Sequence, residues 1–214
     1  MSDAEVLGRI VKAYDVRGLD AELTPTVARA LGSAAAAELA TPGGRFIVGR
    51  DMRPSSPALV DAFCDGLLAA GVDVLDVGLI STDGVTFASG ELDAPGAMFT
   101  ASHNPAGHNG IKLCRAGAVP VAIDSGLARI RDHAAELLVG RGPSGPAAPT
   151  ATPGTRTVEP MLPRFAAHVR GFLTGDVALA GMRIVVDAGN GMGGLVWPAV
   201  TEGLDLVTVP LYFE

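Results

Sequence analysis

Between Thr100 and Lys112 the chain reads Thr-Ala-Ser-His-Asn-Pro-Ala-Gly-His-Asn-Gly-Ile-Lys, so a serine, two histidines, two asparagines and a lysine fall within the eleven residues from Ser102. Three uses of such a cluster can be weighed. A serine hydrolase needs a histidine that reaches the serine hydroxyl. Side chains adjacent in sequence usually diverge and no Gly-x-Ser-x-Gly elbow is present, so His103 is expected to be poorly placed as a base for Ser102. A plain polar connection would use its Ser and Asn side chains to cap backbone groups. A phosphate carrier would place about two negative charges on the serine at neutral pH and would need cations, amides or a metal around them. Lys112 supplies a point charge, the glycine-rich turn lets backbone N–H groups come close, and histidine is the residue type suited to moving protons near neutrality.

The elements on either side must hold this segment in place. It leaves a predicted strand, Ala97–Thr100, and enters another, Gly110–Cys114, and strand ends are where α/β folds gather ligand sites. Short β-branched runs alternate with Ala- and Leu-rich stretches at helical spacing through the rest of the chain. Helices are predicted over Thr26–Leu39, opened by Thr24-Pro25, from about Pro57 to Ala70, stopped by Gly71, over Asp83–Ser89 and over Gly126–Val139. Strands are predicted over Arg45–Gly49 and Val72–Val77. The fold class is therefore α/β, with a mixed, mostly parallel sheet between two helical layers. Asp51, Arg53, Ser55 and Ser56 read as a helix-start cluster, with Ser55 or Ser56 as N-cap before Pro57. His108 is expected to be exposed, and His133 and His168 to be structural residues on helices.

Residues 141–157 are rich in Gly, Pro, Ser, Thr and Ala without periodicity, which reads as a linker. Residues 1–140 then form one α/β domain. Residues 158–214 form the first part of a second, with a helix near Glu159–Phe172, a strand at Arg183–Asp187, a helix near Leu195–Glu202 and a strand at Asp205–Pro210. Gly189-x-Gly191-x-x-Gly194 follows the first of these strands and opens a helix, so a nucleotide-binding turn is a rival reading for it.

Thr100-Ala101-Ser102-His103-Asn104-Pro105 and the following Asn109-Gly110-Ile111-Lys112 resemble the active-site signature of the phosphomannomutase/phosphoglucomutase family of α-D-phosphohexomutases. Lys12-Ala13-Tyr14-Asp15-Val16-Arg17-Gly18 is similar to the opening motif of that family, and Val48-Gly49-Arg50-Asp51-Met52-Arg53-Pro54-Ser55-Ser56 to its next block. Where the family commonly has proline after Thr82, this chain has Asp83. Asp187-x-x-Asn190-Gly191-x-Gly193-Gly194 resembles the start of the family's second domain, where the turn is structural.

The resemblance implies a chain that interconverts hexose 1-phosphate and 6-phosphate through a bisphosphorylated sugar, with Ser102 phosphorylated and its phosphate helping to bind Mg²⁺. His103 and Lys112 would assist proton transfer and stabilise the phosphoryl group, and Tyr14, Arg17 and Lys112 would contact substrate. It also implies an N-terminal portion of a four-domain enzyme, inactive on its own, since no Asp-Gly-Asp-x-Asp-Arg metal loop occurs in the sequence.

Bulk properties are consistent with small anionic substrates as partners. The net charge of −7 argues against a general nucleic-acid binder, which needs clustered Lys and Arg. With 48% hydrophobic and 18% charged residues the chain can bury a core, and no stretch is long and apolar enough to span a bilayer. No secretory signal precedes Ile10, the two cysteines, Cys64 and Cys114, read as buried thiols rather than ligands, and a cytoplasmic location without an obligate protein partner is expected.

Overall fold

The computed structural model describes residues 2–140, 152–174 and 179–214. A short helix, α1 (Asp3–Ile10), opens the chain on a capping box in which Ser2 and Glu5 each bond the other's backbone N–H. Then come β1 (Val16–Leu19), α2 (Pro25–Leu39), β2 (Arg45–Arg50), α3 (Ser56–Ala69), β3 (Asp73–Leu79), α4 (Thr82–Leu92), β4 (Gly96–Phe99), β5 (His108–Arg115), β6 (Val119–Pro120) and α5 (Ala128–Leu138). β7 (Arg156–Val158), α6 (Leu162–Arg170), β8 (Met182–Asp187), α7 (Gly193–Thr201) and β9 (Leu206–Leu211) complete the described elements.

The main sheet has the order β1-β5-β4-β2-β3-β7, with β6 paired to β5. β4, β2, β3 and β7 run parallel, while β5 is antiparallel to both β4 and β1. Alternation within the central strands feeds two cores. Phe46, Val48, Val74, Ala97 and Phe99 join the larger one under α1, α2, α3 and α5. Ile47, Leu75, Val77 and Met98 face the other side with Ile80, Val85 and Met161, under α4 and α6. The three-layer α/β/α arrangement expected from the sequence is thus present, with the sheet buried on both faces.

Small residues bring α2 and α3 together. A methyl group at Gly32 would stand 2.2 Å from the Phe63 carbonyl oxygen, and one at Gly66 would stand 2.3 Å from that of Arg29. The two helices therefore meet backbone to backbone, which no larger residue allows. Thr24 caps α2 as its sequence suggests, and Ser81 caps α4, leaving Asp83 in the first turn where its negative charge complements the positive end of the helix dipole.

Several elements depart from the sequence expectation. α1 and β1 were not anticipated, and the start of the last domain-I helix is a π-type turn over Ile123–Leu127 before α5 begins at Ala128. β7 begins within the stretch read as linker and ends one residue past it: the Thr155 amide and hydroxyl both donate to Asp73 Oδ1, at 2.7 and 2.8 Å. Arg156 bridges Asp61 and Asp76 at 2.8 and 2.5 Å. These polar ties, invisible to a search for hydrophobic period, dock the strand on β3. α6 then packs across α4, with Phe87 near Phe165 and stacked on His168 at 4.7 Å between centroids.

β8, α7 and β9 form a separate parallel βαβ unit. The glycines of its strand-to-helix turn have contacts within the chain. Gly189 has φ +54°, and its N–H bonds Asp187 Oδ1 at 2.9 Å. A methyl at Gly194 would sit 2.4 Å from the Phe213 carbonyl oxygen, so close strand–helix packing accounts for that glycine. Among the described residues no helix is long and apolar enough to cross a membrane.

Candidate active site

The Ser102 loop joins the C-terminal end of β4 to the start of β5. Thr100 is buried at the strand end, and its Oγ1 accepts the Ser102 amide at 2.9 Å, closing a tight turn. Ser102 follows at φ +55°, a left-handed conformation that side-chain-bearing residues rarely adopt and that costs roughly 1 kcal/mol. The turn presents Ser102 and His103 to solvent.

That backbone twist also corrects the expectation about His103. With Ser102 in the left-handed region the two adjacent side chains converge, and Ser102 Oγ lies 3.4 Å from His103 Nδ1. The argument from diverging neighbours holds for ordinary strand or helix geometry and fails here. His103 is within reach of the serine oxygen.

The predicted cations lie on the neighbouring strands. β1 pairs with β5 so that Arg17 sits opposite Gly110; Lys112, two residues on, projects from the same face. Both converge on one buried carboxylate. Asp15, 3% exposed, accepts Arg17 Nη2 at 2.6 Å and Lys112 Nζ at 3.2 Å on the same oxygen, Oδ2. Tyr14 is 65% exposed, which excludes core packing, and its ring faces the Lys112 ammonium at 5.9 Å. Asp15 was missed by the sequence reading, although an acid between Tyr14 and Arg17 was a visible signal. Gly110 is dictated by closeness, because a methyl there would meet the Val16 carbonyl oxygen at 2.4 Å and that of Thr100 at 2.8 Å.

Beneath the loop lies a polar network built from residues read as a helix start. Asn109 is fully buried and its Nδ2 donates to Ser55 Oγ at 2.9 Å and Ser56 Oγ at 3.0 Å. Ser55 donates in turn to Asp20 Oδ1 at 2.8 Å, and Ser56 to Asp51 Oδ1 at 2.9 Å. The expected N-cap bond does not form: Ser55 occupies the cap position of α3 with helical dihedrals, and its hydroxyl is engaged by Asp20 and Asn109 instead. Arg53 sends its guanidinium into the loop itself, to the carbonyl oxygens of Ser102, Asn104, Pro105 and His108. His108 is half-buried rather than exposed, with Nδ1 shielded from solvent.

A site with an exposed serine, an adjacent imidazole and two cations on a buried carboxylate can accept and hand on an anionic group. Among the described residues no three His, Cys, Asp or Glu side chains come together to hold a metal.

Comparison with known proteins points the same way. Residues 8–137 match the family described as phosphoglucomutase/phosphomannomutase, alpha/beta/alpha domain I. A protein named phosphohexose mutases from Xanthomonas campestris pv. campestris (strain B100) is 39% identical over 205 residues, covering 95% of this chain and 43% of that protein. A phosphoglucosamine mutase from Rhodococcus jostii (strain RHA1) is 38% identical over 214 residues, covering 97% of this chain and 46% of the relative. The chain thus spans less than half the length of these relatives. A crystal structure of a phosphoglucomutase/phosphomannomutase family protein from Burkholderia thailandensis superposes with a TM-score of 0.73 at 28% identity, over all of this chain and 45% of that one. With the fold, the Ser102 loop and these matches in agreement, the chain belongs to the phosphoglucomutase/phosphomannomutase family and carries its α/β/α domain I.

Proposed function

We propose that this chain is the phosphoserine-bearing part of a phosphohexomutase that interconverts hexose 1-phosphate and hexose 6-phosphate. The observation that carries the reading is Ser102, turned out to solvent by a left-handed backbone with its oxygen 3.4 Å from an imidazole nitrogen. In the forward step the P–O bond to Ser102 breaks as a sugar hydroxyl oxygen bonds to phosphorus. His103 gives a proton to the departing Ser102 Oγ and is reprotonated by the one the sugar hydroxyl loses, so the count of protons is unchanged. The bisphosphorylated sugar then turns over, and its other phosphoryl group returns to Ser102. Arg17 and Lys112 offset the charge on the moving group, and Tyr14 offers an exposed ring at the substrate's side. Such transfer is mostly positioning and charge stabilisation. Mg²⁺ belongs to the proposal as a counter-charge to the Ser102 phosphate, with its protein ligands outside the described residues.

Ser102 and His103 stand in open water here, whereas phosphoryl transfer requires a site that shuts out competing water. The 214 residues alone are therefore proposed not to turn over substrate. In the whole natural protein carrying this chain, Ser102→Ala should abolish interconversion of hexose 1- and 6-phosphates, and intact mass should find one phosphate on Ser102 that the variant lacks. Undiminished turnover by the variant would refute the reading.

A further inference from the structure

Arg53 was read from the sequence as part of a helix start, yet its side chain is only 11% exposed and lies under the Ser102 loop. Nη2 donates to the carbonyl oxygens of Ser102 at 3.0 Å and Asn104 at 2.7 Å. Nη1 donates to those of Pro105 at 3.0 Å and His108 at 2.9 Å. Nε lies 3.3 Å from Asp51 Oδ2, an ion pair in which its N–H makes no hydrogen bond. Four of the five donors of the guanidinium are thereby directed at the loop backbone.

Four carbonyl dipoles pointing into one space repel each other unless a cation sits among them. Here the loop's curvature depends on that cation. Lysine offers three donors around a single nitrogen and cannot span a fork of this width, so the geometry requires arginine. The fork itself is fixed from behind. Asp51 Oδ1 accepts both the Arg53 backbone amide, at 3.0 Å, and the Ser56 hydroxyl, at 2.9 Å, which ties the Arg53 backbone to the start of α3, while Oδ2 pairs with the guanidinium at Nε. One of the four carbonyls belongs to Ser102, the residue held at positive φ.

We infer that Arg53 is the positioning residue of the Ser102 loop: by gathering four carbonyl oxygens it imposes the strained backbone that aims the serine oxygen at its reaction partner. This rests on the reading of Ser102 as the phosphoryl carrier. Arg53 reaches the loop backbone from below and acts on the reaction through the serine it orients.

The test compares Arg53→Lys with the parent in the whole natural protein, alongside Leu31→Ala, a core variant in α2 that lowers the melting temperature without touching the loop. Two quantities are read for each: hydrogen exchange of the amides from Ala101 to Asn109, and kcat and KM for a hexose 1-phosphate. For Arg53→Lys, loop exchange should rise while α3 stays protected, and kcat should fall roughly 100-fold, the scale of an ångström-level misplacement, with KM nearly unchanged. Leu31→Ala should keep its kcat per folded molecule. A merely structural Arg53 would make the two variants behave alike, with kcat retained, and that result overturns the inference. So does unchanged loop exchange in Arg53→Lys. If Ser102→Ala proves fully active, the phosphoryl-carrier reading fails by itself, and the exchange data still decide whether Arg53 shapes the loop.

Discussion

Replacing Asp15 by asparagine removes the one negative charge that holds Arg17 and Lys112 together. The two cations lie 2.6 and 3.2 Å from Asp15 Oδ2. At an effective dielectric constant of about 20, each pair has a gross attraction of roughly 5–6 kcal/mol. Much of that offsets the burial of the carboxylate, and removing one partner of a buried pair costs about 3–5 kcal/mol net. Arg17 and Lys112 keep 28% and 30% of their side-chain surface in water, so they recover part of their hydration when the partner is lost. The expected cost is about 2 kcal/mol, which for a urea slope of roughly 1–3 kcal/mol/M lowers the unfolding midpoint by about 1 M.

The same change raises the local positive charge by one unit, so a bound phosphate can replace the missing carboxylate. Urea unfolding of Asp15→Asn followed by circular dichroism should thus show a deficit that shrinks as inorganic phosphate is added, since a ligand that binds only the folded state stabilises it by mass action. Two outcomes would refute the reasoning: a midpoint indistinguishable from the parent's, or phosphate that stabilises the parent more than the variant.

Three further outcomes are expected. Gly32→Ala places a methyl 2.2 Å from the Phe63 carbonyl oxygen and should cost about 1–3 kcal/mol, seen in calorimetry as a melting point several degrees lower; an unchanged melting point would contradict the close helix contact. Hydrogen bonds from the Thr155 amide and hydroxyl hold the Asp73 carboxyl below the usual carboxylate range. Because the folded-state value is the lower one, its contribution is present above about pH 4, the unfolded value, and is lost as pH falls further. Exchange protection of the β7 amides should accordingly exceed that of Asp73→Asn at neutral pH and converge with it once the pH has fallen through the lowered folded-state value. Burial pushes the Cys64 thiol up to about 12, so native protein at pH 8 should resist iodoacetamide at Cys64 until urea unfolds it; prompt labelling of the native state would show that the thiol is open to solvent.

Most elements with a strong period were legible in the sequence. The strand at Arg45, the helix after Thr24-Pro25 and the helix ending at Gly71 announce themselves by run length and punctuation. β1 and β7 did not, because Val-Arg-Gly-Leu and Arg-Thr-Val are too short for a period and owe their place to partners about ninety positions away in β5 and eighty in β3. At the site, residue type pointed to Ser102, His103 and Lys112, and the family resemblance to Tyr14 and Arg17. It gave no sign that Ser102 would take a left-handed backbone and bring His103 into range. The contacts of Arg53 were illegible for a related reason: its donors can be assigned only when the carbonyls that four of them meet are known, and those belong to a loop some fifty residues later. Sequence names the reactive groups, whereas long-range backbone geometry selects the residues that hold them.

β1, which leads from Asp15 into Arg17, is an outermost strand of the main sheet, paired along its length with β5 and bridged only at Val16 to Val11. Its four residues could peel away without disturbing the central parallel strands, and both Arg17 and the clamp on Lys112 would leave with it. Against that, Val16 and Leu23 are buried, Val11 at the end of α1 bridges to Val16, and Ile10 of α1 packs close to Gly18. The N-terminal helix therefore acts as a latch on the anion-holding edge, and removing residues before Val11 should leave a folded sheet whose substrate-facing rim has come loose.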